Sequence, residues 1–186
     1  MRIIGGKFKN KKILLPTDGL TRPLKDLVRE SIFNVIEHSN LIENEILNSS
    51  ILDLYSGSGS FGLECLSRGA SRVDFCENYL PAFKILKKNL DHLNCGNDAE
   101  LFNNNVYNFI DSLNKNKVKY DIIFMDPPYK EKKLPFLLNA INKSKLLSNG
   151  GVIIIHRHKK DELKITEKLD IFETRTYGIS KIFFGN

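Results

Sequence analysis

Tryptophan is absent from this 186-residue chain, cysteine occurs three times and methionine twice. Long apolar runs are missing too: no window approaches the ~20 consecutive apolar residues that span a membrane. The opening Met1-Arg2-Ile3-Ile4-Gly5-Gly6-Lys7 lacks the apolar core of a signal peptide. A cytoplasmic protein with no membrane partner is therefore expected. Cys65, Cys76 and Cys95 lie far apart and form no Cys-x-x-Cys pair, which argues against a disulfide framework and against a zinc site. They read as reduced, packed thiols. What is present, 41% apolar and 27% charged residues, suits a single soluble domain, 1–186, that buries roughly 70% of its unfolded surface.

Charge of one sign is unevenly spread. Residues 1 to 25 hold seven cations, Arg2, Lys7, Lys9, Lys11, Lys12, Arg22 and Lys25, against Asp18 alone, whereas the other 161 residues hold 21 cations and 21 acids. A one-sided basic segment can hold phosphates through charge and counterion release; a solvated basic tail is the competing reading. Arg2 to Gly5 and Lys12 to Leu15 read as two short strands of a hairpin whose polar loop displays Lys7, Lys9 and Lys11. Leu24, Leu27, Val28, Ile32, Val35 and Ile36 recur at helical spacing and predict an amphipathic helix over 24–38, after Pro23. Hairpin and helix would form an extension, residues 1–40, ahead of a core at 51–186.

From Ile51 strands alternate with helices. Strands are expected at 51–55, 72–77, 99–102, 120–125 and 151–155, and helices near 60–68, 81–94, 105–114, 134–146 and 159–164. Such alternation predicts a doubly wound α/β unit, a parallel sheet with right-handed crossovers. The last two β-rich runs, 170–176 and 179–184, are parted only by Tyr177-Gly178. They must be antiparallel, because a parallel return needs a crossover of about a dozen residues or more. A Rossmann-like, seven-stranded sheet with a reversed last strand is the pattern of the class I S-adenosylmethionine-dependent methyltransferases, an argument by fold analogy.

The first strand runs into Asp53-Leu54-Tyr55-Ser56-Gly57-Ser58-Gly59-Ser60-Phe61-Gly62, and Glu77 ends the second, followed by Asn78. A GxGxxG string with a following acid also describes a nicotinamide dinucleotide site. Asp53 separates the two readings. A carboxylate beside the loop would repel a pyrophosphate, but it favours the sulfonium and ammonium of S-adenosylmethionine. The glycines would admit the backbone close to that ligand, and Glu77 would accept from ribose hydroxyls. Asn105 and Val106, after the third strand, could meet the adenine edge and face; a helix cap and a core contact are the plainer alternatives. The candidate cofactor set is therefore Asp53, Tyr55, Ser56, Gly57, Ser58, Gly59, Glu77, Asn78, Asn105 and Val106.

Asp126-Pro127-Pro128-Tyr129 closes the fourth strand. An exocyclic amino group on a nucleobase is a poor nucleophile because its lone pair is delocalised, so a site that methylates it must accept from its N–H groups and hold the base flat. The Asp126 carboxylate and the Pro127 carbonyl provide two acceptors, and Tyr129 provides a stacking face. A strand ended by a Pro-Pro turn is the plain alternative. In a doubly wound sheet, ligands lie across the carboxyl ends of the strands, so this motif and the glycine loop should face one another.

With these residues assembled, the chain resembles the RsmD-type 16S ribosomal RNA guanine-N2 methyltransferases over essentially its whole length. Arg2 to Lys7, Arg22-Pro23, Asp26, Val28-Arg29-Glu30 and Phe33-Asn34 are similar to that family's opening blocks. Asp53 with Ser56 to Gly59 and Gly62-Leu63-Glu64 match its cofactor loop, Glu77 its ribose acid, Asn105 its residue near adenine, and Asp126 to Tyr129 its amine-methylating motif. The resemblance implies S-adenosylmethionine as methyl donor and methylation of one guanine, conventionally 966, on a 16S rRNA in an assembling 30S particle; a monomer is the separate expectation for its oligomeric state. Arg2, Lys7, Lys9, Lys11, Lys12, Arg22 and Arg29 become the expected RNA contacts. Tyr129 stands where the family often has Phe, and His156-Arg157-His158 where it often has an acid. No third metal ligand accompanies the two histidines, so this tripeptide reads as surface or phosphate-contacting residues. The alternatives are methylation of another rRNA base, a DNA adenine-N6 methyltransferase, a nicotinamide oxidoreductase and a non-catalytic RNA-binding protein.

Overall fold

Strands that read as unbroken apolar runs need cover on both faces, and this chain wraps its sheet accordingly. The computed structural model describes residues 1–19, 24–113, 118–161 and 169–186. Its elements are α1 (Asp26–His38), β1 (Ser50–Leu54), α2 (Ser60–Ser67), β2 (Arg72–Cys76), α3 (Leu80–Leu93), β3 (Ala99–Phe102), α4 (Val106–Leu113), β4 (Tyr120–Met125), α5 (Leu134–Lys143), β5 (Leu147–His158), β6 (Ile171–Tyr177) and β7 (Ser180–Gly185). They build a seven-stranded sheet in the order β3-β2-β1-β4-β5-β7-β6. The first five strands are parallel, and β7 runs antiparallel to both neighbours, as the close spacing of the last two runs required.

Two apolar layers flank the sheet. One gathers Ile32, Phe33, Phe61, Leu66, Leu86 and Phe124, so α1, α2 and α3 cover that face. The other gathers Val106, Phe109, Leu137, Ile141 and Ile155 under α4 and α5. Phe33, Phe61 and Phe124 stack in a column with centroid separations of 5.3 and 4.1 Å, tying α1 to α2 and α2 to β4. Cys65, Cys76 and Cys95 are free and buried.

Three expectations need correction. The N-terminal hairpin is shorter than two strands, reduced to one antiparallel bridge, Arg2 to Lys12, around a 3-10 turn at Gly6–Phe8. Its outer edge pairs with side chains instead of a partner strand: the Phe8 N–H donates to Ser67 Oγ at 2.9 Å and the Leu14 N–H to Asn89 Oδ1 at 2.8 Å. The fifth strand is longer than 151–155 because β7 pairs with it as far as His158. Lastly, α5 ends at Lys143. Arg22 and Pro23 lie outside the described residues, as does the second half, 162–164, of the helix expected at 159–164.

Glu64 fastens the extension to the core. Fully buried on α2, its carboxylate accepts the Ile4 N–H at 2.8 Å and the Gly5 N–H at 2.6 Å, and pairs with Arg68 Nε at 3.0 Å. Arg29 Nε approaches it to 3.9 Å. Gly6 lets the segment lie this close: its φ is +71°, and a Cβ there would fall 1.9 Å from the Ser67 carbonyl oxygen. Removing one partner of a buried ion pair leaves the other charge uncompensated. Glu64→Ala is therefore expected to lower unfolding free energy by roughly 3–5 kcal/mol, measured by urea denaturation, with Glu64→Gln losing less because its amide oxygen still accepts.

Candidate active site

Parallel pairing sets the strand ends in line. Leu54 lies opposite Cys76 on one side and Met125 on the other, and Met125 lies opposite Ile155. The next residue of each strand, Tyr55, Glu77, Asp126 and His156, therefore falls on one carboxyl edge, and the glycine loop and the Asp-Pro-Pro-Tyr turn leave the sheet side by side. These are the two motifs that sequence order placed together.

The glycine loop is held from below. Ser56 Oγ donates toward the Asp53 carbonyl at 2.7 Å and lies 3.1 Å from that of Cys76. The Ser58 carbonyl accepts from Asn89 Nδ2 at 3.0 Å, and Ser58 itself is buried. Tyr55 takes a left-handed φ of 60°, a conformation that costs a non-glycine residue on the order of 1–2 kcal/mol. Gly57 also has a positive φ, +57°, and open space where a Cβ would stand. Its N–H donates to Glu77 Oε2 at 2.7 Å, and the Tyr79 N–H donates to Glu77 Oε1 at 2.7 Å. Both carboxylate oxygens keep a further lone pair for a ligand. Asn78 is exposed beside them.

Asp53 lies beneath the loop at 1% exposure, where its Oδ2 accepts the Gly62 N–H at 3.0 Å, inside the first turn of α2. Burial pushes its carboxyl up to about 8; the Gly62 bond opposes this, and the charges of Asp126 and Glu77 add to it. A buried carboxyl held up in this way favours a cation as the neighbouring ligand. The donor set, with acid at Asp53 and Glu77 and a bare approach at Gly57, fits S-adenosylmethionine and would oppose a pyrophosphate. Asn105, exposed after β3, caps α4 with its Oδ1, which accepts the Tyr107 N–H at 3.0 Å, and Val106 packs in the core.

The tetrapeptide is gripped from the end of β5, which corrects the reading of His156-Arg157-His158 as surface residues. His156 and Arg157 are buried at 6% and 5% exposure. His156 Nδ1 lies 2.8 Å from Asp126 Oδ1, so one oxygen of Asp126 is oriented by the imidazole. The Arg157 guanidinium donates to the carbonyls of Pro128 at 2.9 Å and Tyr129 at 3.1 Å, and more weakly to that of Pro127 at 3.3 Å. Asp161 pairs with the same guanidinium at 2.9 Å. Pro128 is exposed, and the Tyr129 ring, 42% exposed, meets His158 edge-on at 5.6 Å. The missed signal was strand adjacency: a fifth strand beside the fourth must deliver its last residues to the fourth's turn. Among the described residues no group of three His, Cys, Asp or Glu side chains could hold a metal ion, and no helix is long and apolar enough to cross a membrane.

Of the expected RNA contacts, Arg2, Lys7, Lys9, Lys11 and Lys12 are exposed, and the ammonium groups of Lys7 and Lys11 sit over the Phe8 ring at 5.0 and 5.3 Å. Arg29 is a correction. It is fully buried, donating to the Arg2 carbonyl and to Asp26 Oδ1 at 3.0 Å, because the α1 face that carries it packs against the hairpin. It holds the segment from beneath and cannot reach RNA.

Comparison with known proteins agrees with this geometry. The profile of a family described as Conserved hypothetical protein 95 matches residues 1–186. The Ribosomal RNA small subunit methyltransferase D of Haemophilus influenzae is 32% identical over 181 residues, covering 96% of this chain and 90% of its own length. The protein of the same name from Escherichia coli K12 is 31% identical over 163 residues, covering 88% and 77%. Among solved structures, a hypothetical protein of Thermus thermophilus superposes with a TM-score of 0.81 at 25% identity, covering 99% of this chain and 98% of that one. The sheet order, the reversed strand and this whole-length similarity converge: the chain has the class I methyltransferase fold and belongs to the RsmD family.

Proposed function

We propose that this protein transfers a methyl group from S-adenosylmethionine to the exocyclic N2 of one guanine, conventionally 966, in 16S rRNA, acting as a monomer on an assembling small subunit. The observation that carries the reading is the pairing of Leu54 with Met125, which sets the Asp53 to Gly59 loop beside Asp126 to Tyr129. S-adenosylmethionine supplies an electrophilic methyl on a sulfonium. Gly57 admits the donor closely, Glu77 accepts from its ribose hydroxyls, and buried Asp53 provides the counter-charge.

The base is taken out of its stack onto Tyr129. Its amino group donates to the Asp126 oxygen not engaged by His156, and to the free lone pair of the Pro127 carbonyl. Held in line, the nitrogen would attack the methyl as its carbon–sulfur bond breaks, with the neutral thioether S-adenosylhomocysteine as the leaving group. The proton then leaves N2, during or after transfer, and Asp126 is the nearest acceptor. Burial raises the thiols of Cys65, Cys76 and Cys95, to about 12 for Cys76 and about 11 for Cys95, so none is poised as a nucleophile at neutral pH.

Assays on undermethylated 30S subunits, naked 16S rRNA and deproteinised DNA test this reading, with the modified nucleotide mapped; methyl on DNA adenine in place of rRNA guanine would overturn it. Asp126→Ala is expected to lower turnover by about 10²-fold or more with donor affinity retained, whereas Glu77→Ala should mainly weaken donor binding, measured by calorimetry. Reversing charge at Lys9, Lys11 and Lys12 should flatten the salt dependence of RNA binding and leave donor affinity as it was.

Asp53 adds a pH signature. A carboxyl raised from its ordinary value to about 8 stabilises the free protein fully below about pH 4 and loses that contribution as pH rises through about 8. A cationic ligand favours the ionised form, so donor binding should release a proton and tighten as pH rises through the same range. In Asp53→Asn this component should vanish, and the difference between the two proteins removes the donor's own titration.

A further inference from the structure

Sequence counting gives charge balance beyond residue 25, yet the fold does not distribute that charge evenly. Four of the balancing acids, Asp53, Glu64, Asp74 and Glu77, are buried. Several of the balancing cations stay outside: Lys130, Lys132 and Lys133 are exposed directly after Tyr129, and Lys159 and Lys160 directly after His158. The three lysines of the first group line a groove of about 850 Å³, walled by Tyr107 and Asn108 of α4 and by Phe136 of α5, and reaching at one end to Asn105 of the candidate cofactor set.

Phe136 is 72% exposed. Leu134, Leu137, Leu138 and Ile141 bury the other face of α5, so helix packing does not require an aromatic at this position. A ring left in water beside three cations forms the combination that holds single-stranded nucleic acid, a stacking platform next to phosphate-binding charge. Glu131 also lines the groove, with its Oε1 accepting the Lys133 N–H at 2.7 Å. Its acid turns back onto its own loop, and the lysines outnumber it.

We infer that this groove is a second RNA subsite, which takes the single-stranded nucleotides adjoining the target base: a neighbouring base stacks on Phe136, and Lys130, Lys132 and Lys133 hold the phosphates around it. This rests on the function proposed above and deepens it. Extrusion of a base leaves its neighbours unstacked, and a platform one loop away from Tyr129 would compensate them. The basic N-terminal segment would then hold the flanking RNA at a separate place.

The test uses the full-length protein. Fluorescence anisotropy with a labelled single-stranded RNA spanning the target site, and initial rates on undermethylated 30S subunits, are measured for Phe136→Ala and for the triple variant Lys130→Glu, Lys132→Glu, Lys133→Glu. Phe136→Ala should raise Kd and KM for RNA about tenfold, the loss of one stacked base, with kcat at saturating RNA within about twofold. The triple variant should reduce the salt slope of binding by about 2, three single-strand phosphate contacts at about 0.7 each. S-adenosylmethionine affinity should match wild type in both. Unchanged Kd and salt slope would overturn the inference, and so would an equal loss of donor affinity, which would make the groove part of the donor pocket. Anisotropy reads the groove whether or not methyl is transferred, so a wild-type protein that binds the RNA but methylates no rRNA substrate would sink the functional reading alone.

Discussion

A fully buried carboxylate on α2 holds the two parts of this protein in one arrangement. Glu64 accepts two backbone N–H groups from the N-terminal segment and pairs with Arg68, while Arg29 closes the other side. The same short helix begins at the glycine loop, where Asp53 accepts the Gly62 N–H. An element of eight residues thus anchors the basic hairpin through Glu64 and is fixed to the glycine loop's strand through Gly62. Burying an acid is costly unless its hydrogen bonds and counter-charges are met. Because here they are met by groups from three separate segments, the carboxylate specifies their relative positions as well as satisfying itself.

The opposite edge of the pocket relies on a cation. Arg157 donates to three successive carbonyls of the Asp-Pro-Pro-Tyr turn, groups that two prolines and a tight turn leave without strand partners. Lysine could not do this in the same way, since a guanidinium presents a planar fork of donors to several acceptors at once. His156 then orients Asp126. The turn that would receive a base is therefore prearranged by the end of the neighbouring strand, and it exposes Pro128, the Tyr129 ring and part of the Asp126 carboxylate. Prearrangement of this kind lowers the reorganisation needed when a substrate arrives.

Three carboxylates meet at the sheet edge, and their mutual influence explains the ligand they suit. Asp53 is raised chiefly by burial and further by Asp126 and Glu77, so the pocket holds more negative potential than it can comfortably ionise. A sulfonium and an ammonium relieve that potential, whereas a pyrophosphate would aggravate it. The glycine loop alone would admit either.

The strand and helix order, the reversed final strand and the approach of the two motifs were legible in the sequence, because hydrophobic periodicity and the crossover rule act locally or through connection length alone. Arg29 was misplaced because an arginine in a basic segment gives no local sign of facing inward; its burial depends on Glu64, 35 positions away. His156 and Arg157 looked like surface residues for the same reason, since their partners lie about thirty residues upstream across β4 and β5. Sequence by itself determined which elements form and which chemistry collects at the carboxyl edge. Tertiary structure alone decided which charges are neutralised inside and which face outward, because a buried ion pair and an exposed cation are written with the same residues and differ only in what folds against them.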